Sequence, residues 1–327
     1  MIALVSTGGT IAMVGRHPYD WVDYAESKVV RAPDEILAEL APLLPKIPIE
    51  IVPVRGIGST GITLADWRAL NEVISKLVER SDVAGVVITH GTATLEETAW
   101  FLALTLTTEK PVVLVGAQRP PNTAGSDAGP NLRAALLVAQ SDAARGLGVL
   151  VAMGGRIFDA RSVTKLSNHD LAAFDGGDSG ALGRVTSEGR VILRHRPQPL
   201  PVERPWGLSP DRELPRVDIA FSYAGADGTA VRSFVAAGAK GIVSAGLPPG
   251  RPANEERKAL ATAASNGVAV VLASRALRGP VEPASDAARD GFLTASDLGA
   301  LKTRILLMLA LSVTTERAAL AEILNRF

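Results

Sequence analysis

Two segments of the chain join glycine to threonine in a way that suits nucleophilic catalysis. In Thr7-Gly8-Gly9-Thr10-Ile11-Ala12 an apolar run ends in paired glycines, which let the backbone turn sharply and bring the Thr10 hydroxyl to a strand end. Thr10 has two readings there, a nucleophile or the N-capping residue of a turn. In His90-Gly91-Thr92-Ala93-Thr94-Leu95-Glu96-Glu97-Thr98 a second apolar run ends and a helix begins. Thr94 and Glu97 have the spacing of a capping box, which assigns Thr94 to structure and leaves Thr92 without that duty. Hydroxyls from two neighbouring strand ends could converge on one carbonyl, one attacking and one delivering a proton. A hydroxyl also needs a base. Lys165, in Ser162-Val163-Thr164-Lys165, supplies one if burial lowers its pKa, and is an ordinary protonated side chain if it is solvated.

Other chemistries are poorly served. The chain has no cysteine, which excludes thiolate catalysis, disulfides and Cys-ligated metal. None of its 4 histidines, His90 and His169 included, has the spacing of a metal site or a Ser-His-Asp arrangement, so each reads as structural. Gly8-Gly9 and Gly154-Gly155 match no dinucleotide or Walker pattern. With 34 basic and 34 acidic residues the net charge is zero, and only 4% of residues are aromatic, which argues against nucleic acid as a partner.

The elements that must position these residues alternate. Apolar runs at Ile2–Ser6, Ile49–Val54, Gly85–Thr89, Val112–Gly116 and Gly148–Met153 read as strands, and Asp34–Leu44, Leu64–Val78, Leu95–Leu106 and Asn131–Ala144 have helical period. This predicts an α/β fold, a larger N-terminal domain (1–196) whose mostly parallel sheet carries helices on both faces and binds ligands at the carboxyl ends of its strands. Six prolines between Pro197 and Pro215 mark a linker (197–215). A smaller C-terminal α/β domain (216–327) follows, with strands at Val217–Phe221, Gly241–Ser244 and Val268–Ala273 and helices at Thr229–Ala237, Asn254–Ala264, Ala295–Leu311 and Thr314–Ile323. Ser296 and Thr314 read as N-caps of the last two. The N-terminus lacks a basic export-signal region and no apolar run reaches the ~20 residues of a membrane span, so the expected compartment is the cytoplasm, with no membrane partner.

The two threonine segments, with Pro111–Pro120, Val163-Thr164-Lys165 and Gly241–Gly246, resemble in order and over essentially the whole chain the bacterial L-asparaginase and glutaminase-asparaginase family. The resemblance implies that Thr10 is the nucleophile, beneath a lid of roughly Val14–Lys28 in which Tyr24 activates it, and that Thr92 and Lys165 form a second hydroxyl and amine. Gly58, Ser59, Thr60, Gly91, Ala93 and Ala117 fall at substrate-binding positions, Ser59 at that of a carboxylate-binding serine. A homotetramer built as a dimer of dimers is implied too, each site roofed by a neighbour's smaller domain, and no metal or organic cofactor.

The chain departs from the family where a substrate ammonium group would bind. Ala93 stands in place of an aspartate, Thr60 of a glutamine, Pro249 of an asparagine, and Ala284 falls near the place of a neighbour's glutamate, with Glu282 close by. An ammonium ion left without an anion is costly to bury. The expected activity is therefore hydrolysis of the carboxamide, or a cyclic imide, of a small carboxylate that lacks an α-amino group. Two alternatives remain open at this stage, a true L-asparaginase (natural, or altered from aspartate at position 93) and a catalytically silent ligand-binding homologue.

Overall fold

Runs of β-branched and aliphatic residues bounded by turns form the strands. β1 (Ile2–Ser6), β2 (Ile49–Pro53), β3 (Gly85–Thr89), β4 (Val112–Val115) and β5 (Val149–Met153) lie in the order β5-β4-β3-β1-β2, all parallel. Every residue of β1, β3, β4 and β5 is buried, which requires cover on both faces of the sheet. α2 (Leu64–Glu79), α3 (Leu95–Thr105) and α4 (Ala128–Gln140) contribute to that cover, α4 packing on β1, β3, β4 and β5, α3 on β4 and β5 and α2 on β3, while α1 (Pro33–Leu40) packs against the turn at Thr10–Ala12. α2 starts at a capping box between Thr63 and Asp66 and sets the Trp67 ring on Phe101 of α3, centroids 5.1 Å apart. After β1 the chain runs to β2 on one side and then to β3 on the other, so the order reverses between β1 and β3, where parallel sheets open a crevice at their carboxyl edge.

Beyond β5 the sheet turns antiparallel through β6 (Arg156–Asp159), β9 (Gly183–Val185) and β10 (Val191–Leu193), and a separate hairpin pairs β7 (Thr164–Lys165) with β8 (Phe174–Asp175). The apolar pattern does not predict β6, β8, β9 or β10.

The computed structural model describes residues 1–206, 208 and 213–327 and divides them into two compact units, Met1–Pro199 and Leu200–Phe327. Of the proline-rich 197–215 stretch, residues 207 and 209–212 lie outside the described residues. Within the second unit Trp206 is buried, its ring 4.8 Å from that of the C-terminal Phe327.

The second unit has a parallel sheet of β11 (Val217–Phe221), β12 (Gly241–Gly246), β13 (Ala269–Ser274) and β14 (Leu293–Thr294). With it go α5 (Thr229–Ala236), α6 (Asn254–Ser265), α7 (Ser285–Arg289), α8 (Ala300–Leu311) and α9 (Arg317–Arg326), and Ile242, Leu260, Val270 and Phe292 sit in one core. The expected α/β class is the one found. Two caps are corrected: α8 is capped at Gly299 rather than Ser296, whose φ of 53° is left-handed, and α9 at Glu316, whose N–H donates to the Thr314 hydroxyl in a turn one step earlier. Among the described residues no helix is long and apolar enough to cross a membrane.

Candidate active site

Three loops meet at the carboxyl edge of β1, β2 and β3, and glycine is what lets them touch. A Cβ on Gly9 would lie 2.5 Å from the Gly91 backbone, and one on Gly91 would lie 2.2 Å from Ser59 Cβ. Gly8 and Gly9 have φ of 94° and 85°, the left-handed region that a side chain disfavours. The loops are also hydrogen-bonded: Thr7 N–H and its hydroxyl both donate to the Thr89 carbonyl (3.1 and 2.9 Å), and Ile57 N–H donates to the Thr7 carbonyl (2.6 Å). Thr10 and Thr92, each next in chain to one of the touching glycines, are thus carried on adjoining backbones, and both are buried.

Tyr24 reaches Thr10 from a folded segment between the isolated bridge Met13–Val30, its hydroxyl 2.8 Å from Thr10 Oγ1. The segment, residues 14–28, is fastened to the loop after β4. Gly15 N–H donates to Asn122 Oδ1 (2.8 Å), Asn122 Nδ2 returns a bond to the Gly15 carbonyl (2.7 Å), and Ala124 N–H donates to the Pro18 carbonyl (2.7 Å). The Arg119 guanidinium lies 3.7 Å from the Trp21 ring centroid. Asp20, buried in the same segment, accepts from the Arg16 backbone and side chain, which holds its carboxyl below the usual range.

Lys165 enters from the β7 hairpin. Its Nζ donates to Thr92 Oγ1 (2.8 Å) and to Gln118 Oε1 (3.1 Å), and its backbone N–H donates to Glu96 Oε1 (3.2 Å). Partial burial lowers its pKa, and the charges of Asp127 and Glu96 offset part of that fall. Gln118, at the end of β4, also accepts from the Thr92 hydroxyl (3.1 Å). Asp127 takes the Gln118 and Arg119 N–H groups (each 3.0 Å) and Asn131 Nδ2 (2.8 Å), which fixes that loop to the start of α4.

His90 is a satisfied core residue. Its Nδ1 lies 2.8 Å from the Gly91 carbonyl and must donate there, so Nε2 accepts from the Thr98 hydroxyl (3.0 Å), which in turn accepts from Trp67 Nε1 (2.8 Å). Burial pushes its pKa down to about 4. Thr94 corrects the capping-box expectation: its side chain makes no cap and donates instead to the Ser59 carbonyl (2.8 Å), tying the β2 and β3 loops together.

The sequence-predicted residues of the first unit therefore gather at one sheet edge, with different exposures. Ser59, Tyr24 and Lys165 are half-buried, Gly58, Thr60 and Ala93 exposed, and Gly91 and Ala117 buried. Pro249, Glu282 and Ala284 line one depression of the second unit with Arg251 and Arg257. Gln118, Glu96 and Asp127 went unrecognised as site residues, although the rule that residues just after each strand matter points to Gln118.

Comparison with known proteins bears on the same arrangement. Residues 1–199 match the family profile "Asparaginase, N-terminal" and residues 216–324 "Glutaminase/Asparaginase C-terminal domain". The chain is 36% identical to "L-asparaginase 2" of Escherichia coli, covering 100% of this chain and 93% of the other. It is 33% identical to "Probable L-asparaginase periplasmic" of Haemophilus influenzae, covering 100% and 93%. A crystal structure titled "Probable Cytoplasmic L-asparaginase from Campylobacter jejuni" superposes with a TM-score of 0.92 at 33% identity, covering 100% of this chain and 99% of that one. With both profiles matched in order and full-length relatives above 30% identity, the chain belongs to the asparaginase family of amidohydrolases.

Proposed function

We propose that this protein hydrolyses the carboxamide of a small carboxylate that lacks an α-ammonium group, with Thr10 as the nucleophile. The supporting observation is two side-chain pairs, the hydroxyls of Thr10 and Tyr24 and the hydroxyl and amine of Thr92 and Lys165, with Thr10 and Thr92 on backbones in contact at one sheet edge. Thr10 Oγ1 attacks the amide carbon, its proton moves to Tyr24 Oη, and Tyr24's own proton goes on to the departing nitrogen, which leaves as ammonia. Water then attacks the ester on Thr10. Thr92 takes a proton from that water and passes its own to neutral Lys165 Nζ, and a proton returns to Thr10 Oγ1 as the acid is released. Burial of Lys165 favours the neutral amine this step requires. Gly58, Ser59, Thr60, Gly91 and Ala117 line the substrate position, with the Ser59 hydroxyl on the carboxylate.

The substrate class follows from charge. Ala93 and Thr60 are exposed and neither carries a charge that would meet an ammonium group. Succinamate satisfies the remaining groups, and succinimide, which has no carboxylate of its own, yields ammonia only after a first hydrolysis opens its ring to succinamate. A second reading, L-asparagine as substrate, is favoured by the names of the relatives, which at 33–36% identity are L-asparaginases. Ammonia release from succinamate, succinimide, asparagine and glutamine, with Thr10→Ala as the blank, separates them. Release confined to the desamino compounds is expected, and asparagine turnover equal to theirs would overturn the substrate class. We further propose a cytoplasmic homotetramer. Cell fractionation and light scattering test those two points, since relatives are named for both the cytoplasm and the periplasm.

A further inference from the structure

Gln118 uses both ends of its side-chain amide. Nε2 donates to the carbonyls of Asp170 (3.0 Å) and Asn168 (3.4 Å), while Oε1 accepts from Thr92 Oγ1 and from Lys165 Nζ, each at 3.1 Å. The orientation is forced: a flipped amide would set its oxygen against two carbonyls and its NH2 against an amine. The side chain is buried, so no solvent would relieve such a mismatch. One residue therefore joins three parts of the site, the loop after β4, Thr92, and the hairpin that carries Lys165.

We propose that Gln118 is a positioning residue, whose amide oxygen orients the Thr92 hydroxyl and holds Lys165 Nζ without supplying a negative charge. The inference rests on the reading of Thr92 and Lys165 as a proton-transfer pair. With its hydroxyl proton directed at Oε1, Thr92 turns a lone pair toward Lys165 Nζ, 2.8 Å away. Rotation about the Cβ–Oγ1 bond then offers that proton to the amine once the amine is neutral. Both Nζ partners are uncharged oxygens, so the lysine is anchored while its ammonium form is stabilised less than a carboxylate would stabilise it. The carboxylates that do act on Lys165 are Glu96 on α3 and Asp127 ahead of α4, and burial outweighs them. The hairpin itself carries His169, Asp170 and Asp175, and Asp170 engages Gln118 through its backbone carbonyl.

Two substitutions move the lysine in opposite directions. Gln118→Glu places a carboxylate oxygen beside Nζ and should raise the Lys165 pKa by about one unit or more. Gln118→Met removes the acceptor and should lower it. The probe is the full-length protein labelled with 13C at lysine Cε, the Lys165 resonance assigned with Lys165→Arg, and each variant titrated by NMR. In parallel, the acid limb of the kcat/KM profile with succinamate should follow each shift. The high-pH plateau should fall about 100-fold in Gln118→Met, the cost of misplacing a reacting group by ~1 Å, with KM within about threefold. A merely structural glutamine would lower the melting temperature of Gln118→Met and leave its high-pH plateau within threefold of wild type, which would also overturn the proposal. One common Lys165 pKa in all three proteins overturns the proposal. Undiminished succinamate hydrolysis by Lys165→Met would instead remove the proton-transfer reading, while the NMR titration still reads the hold of Gln118 on the lysine.

Discussion

Replacing Gly91 by alanine tests whether the contact between the β1, β2 and β3 loops is what places the two hydroxyls. The new Cβ would lie 2.2 Å from Ser59 Cβ and 2.8 Å from Ser59 Cα, against about 3.5–4.0 Å for carbon atoms in ordinary contact. The Gly91 and Ser59 backbones must therefore separate by more than ~1 Å, because no flexible side-chain end is there to yield. Gly91 is also packed against Gly9, so the displacement reaches the turn that carries Thr10. A shift on the order of 1 Å at a reacting group costs about a hundredfold in rate, and overpacking of this kind costs roughly 1–3 kcal/mol in stability. The assay is kcat/KM for succinamate by coupled ammonia detection, with calorimetry on the same samples. Gly56→Ala is the control, since its Cβ would meet nothing within 4 Å and its φ is not in the left-handed region. Gly91→Ala activity within threefold of wild type, with a melting temperature equal to that of Gly56→Ala, would show that this contact does not place the two hydroxyls.

Other perturbations have equally definite outcomes. Tyr24→Phe removes the hydroxyl 2.8 Å from Thr10 Oγ1 and should lower kcat by roughly 10^2- to 10^4-fold with a small change in KM, read by steady-state kinetics. Asn122→Ala deletes both bonds to Gly15 and should lower kcat/KM about tenfold by loosening the segment that carries Tyr24, a loss of the two bonds' net worth of about 1–2 kcal/mol. Ala93→Asp should add asparagine turnover and raise the Lys165 pKa, moving the acid limb of the rate profile upward; unchanged specificity would count against the substrate class. His90 binds its proton at about pH 4 in the folded chain and near 6.5 when unfolded, so folding is insensitive to this group above pH 6.5. Stability is lost as pH falls from about 6.5 toward 4, by on the order of 3 kcal/mol, and the stability of His90→Asn relative to wild type should rise over that interval in denaturant titrations.

Much of the fold was legible because its parallel strands are local events. Gly85–Thr89 is a five-residue apolar run between turns, fully buried as such a run must be, and its boundaries come out as read. Arg156–Asp159, Thr164–Lys165 and Phe174–Asp175 are short and lack such a run; they become strands through hairpin pairing, Arg156–Asp159 with β5 across Gly154-Gly155 and Thr164–Lys165 with Phe174–Asp175, rather than through a pattern of their own. Thr94 shows the same limit within the site. Thr63 and Asp66 form a real capping box at the spacing shared by Thr94 and Glu97, yet the Thr94 hydroxyl is taken by Ser59, 35 residues earlier. Gln118 was visible as a strand-end residue, but its role depends on a hairpin some 50 residues onward, which no local pattern encodes.

The most direct test is to offer the wild-type protein an equimolar mixture of succinamate and asparagine, quench it in acid during turnover, and map acylated peptides by mass spectrometry. A succinyl ester on Thr10, absent from Thr10→Ala, is the expected result. An aspartyl ester on Thr10 would contradict the substrate assignment, and an ester on Thr92 in place of Thr10 would contradict the choice of nucleophile.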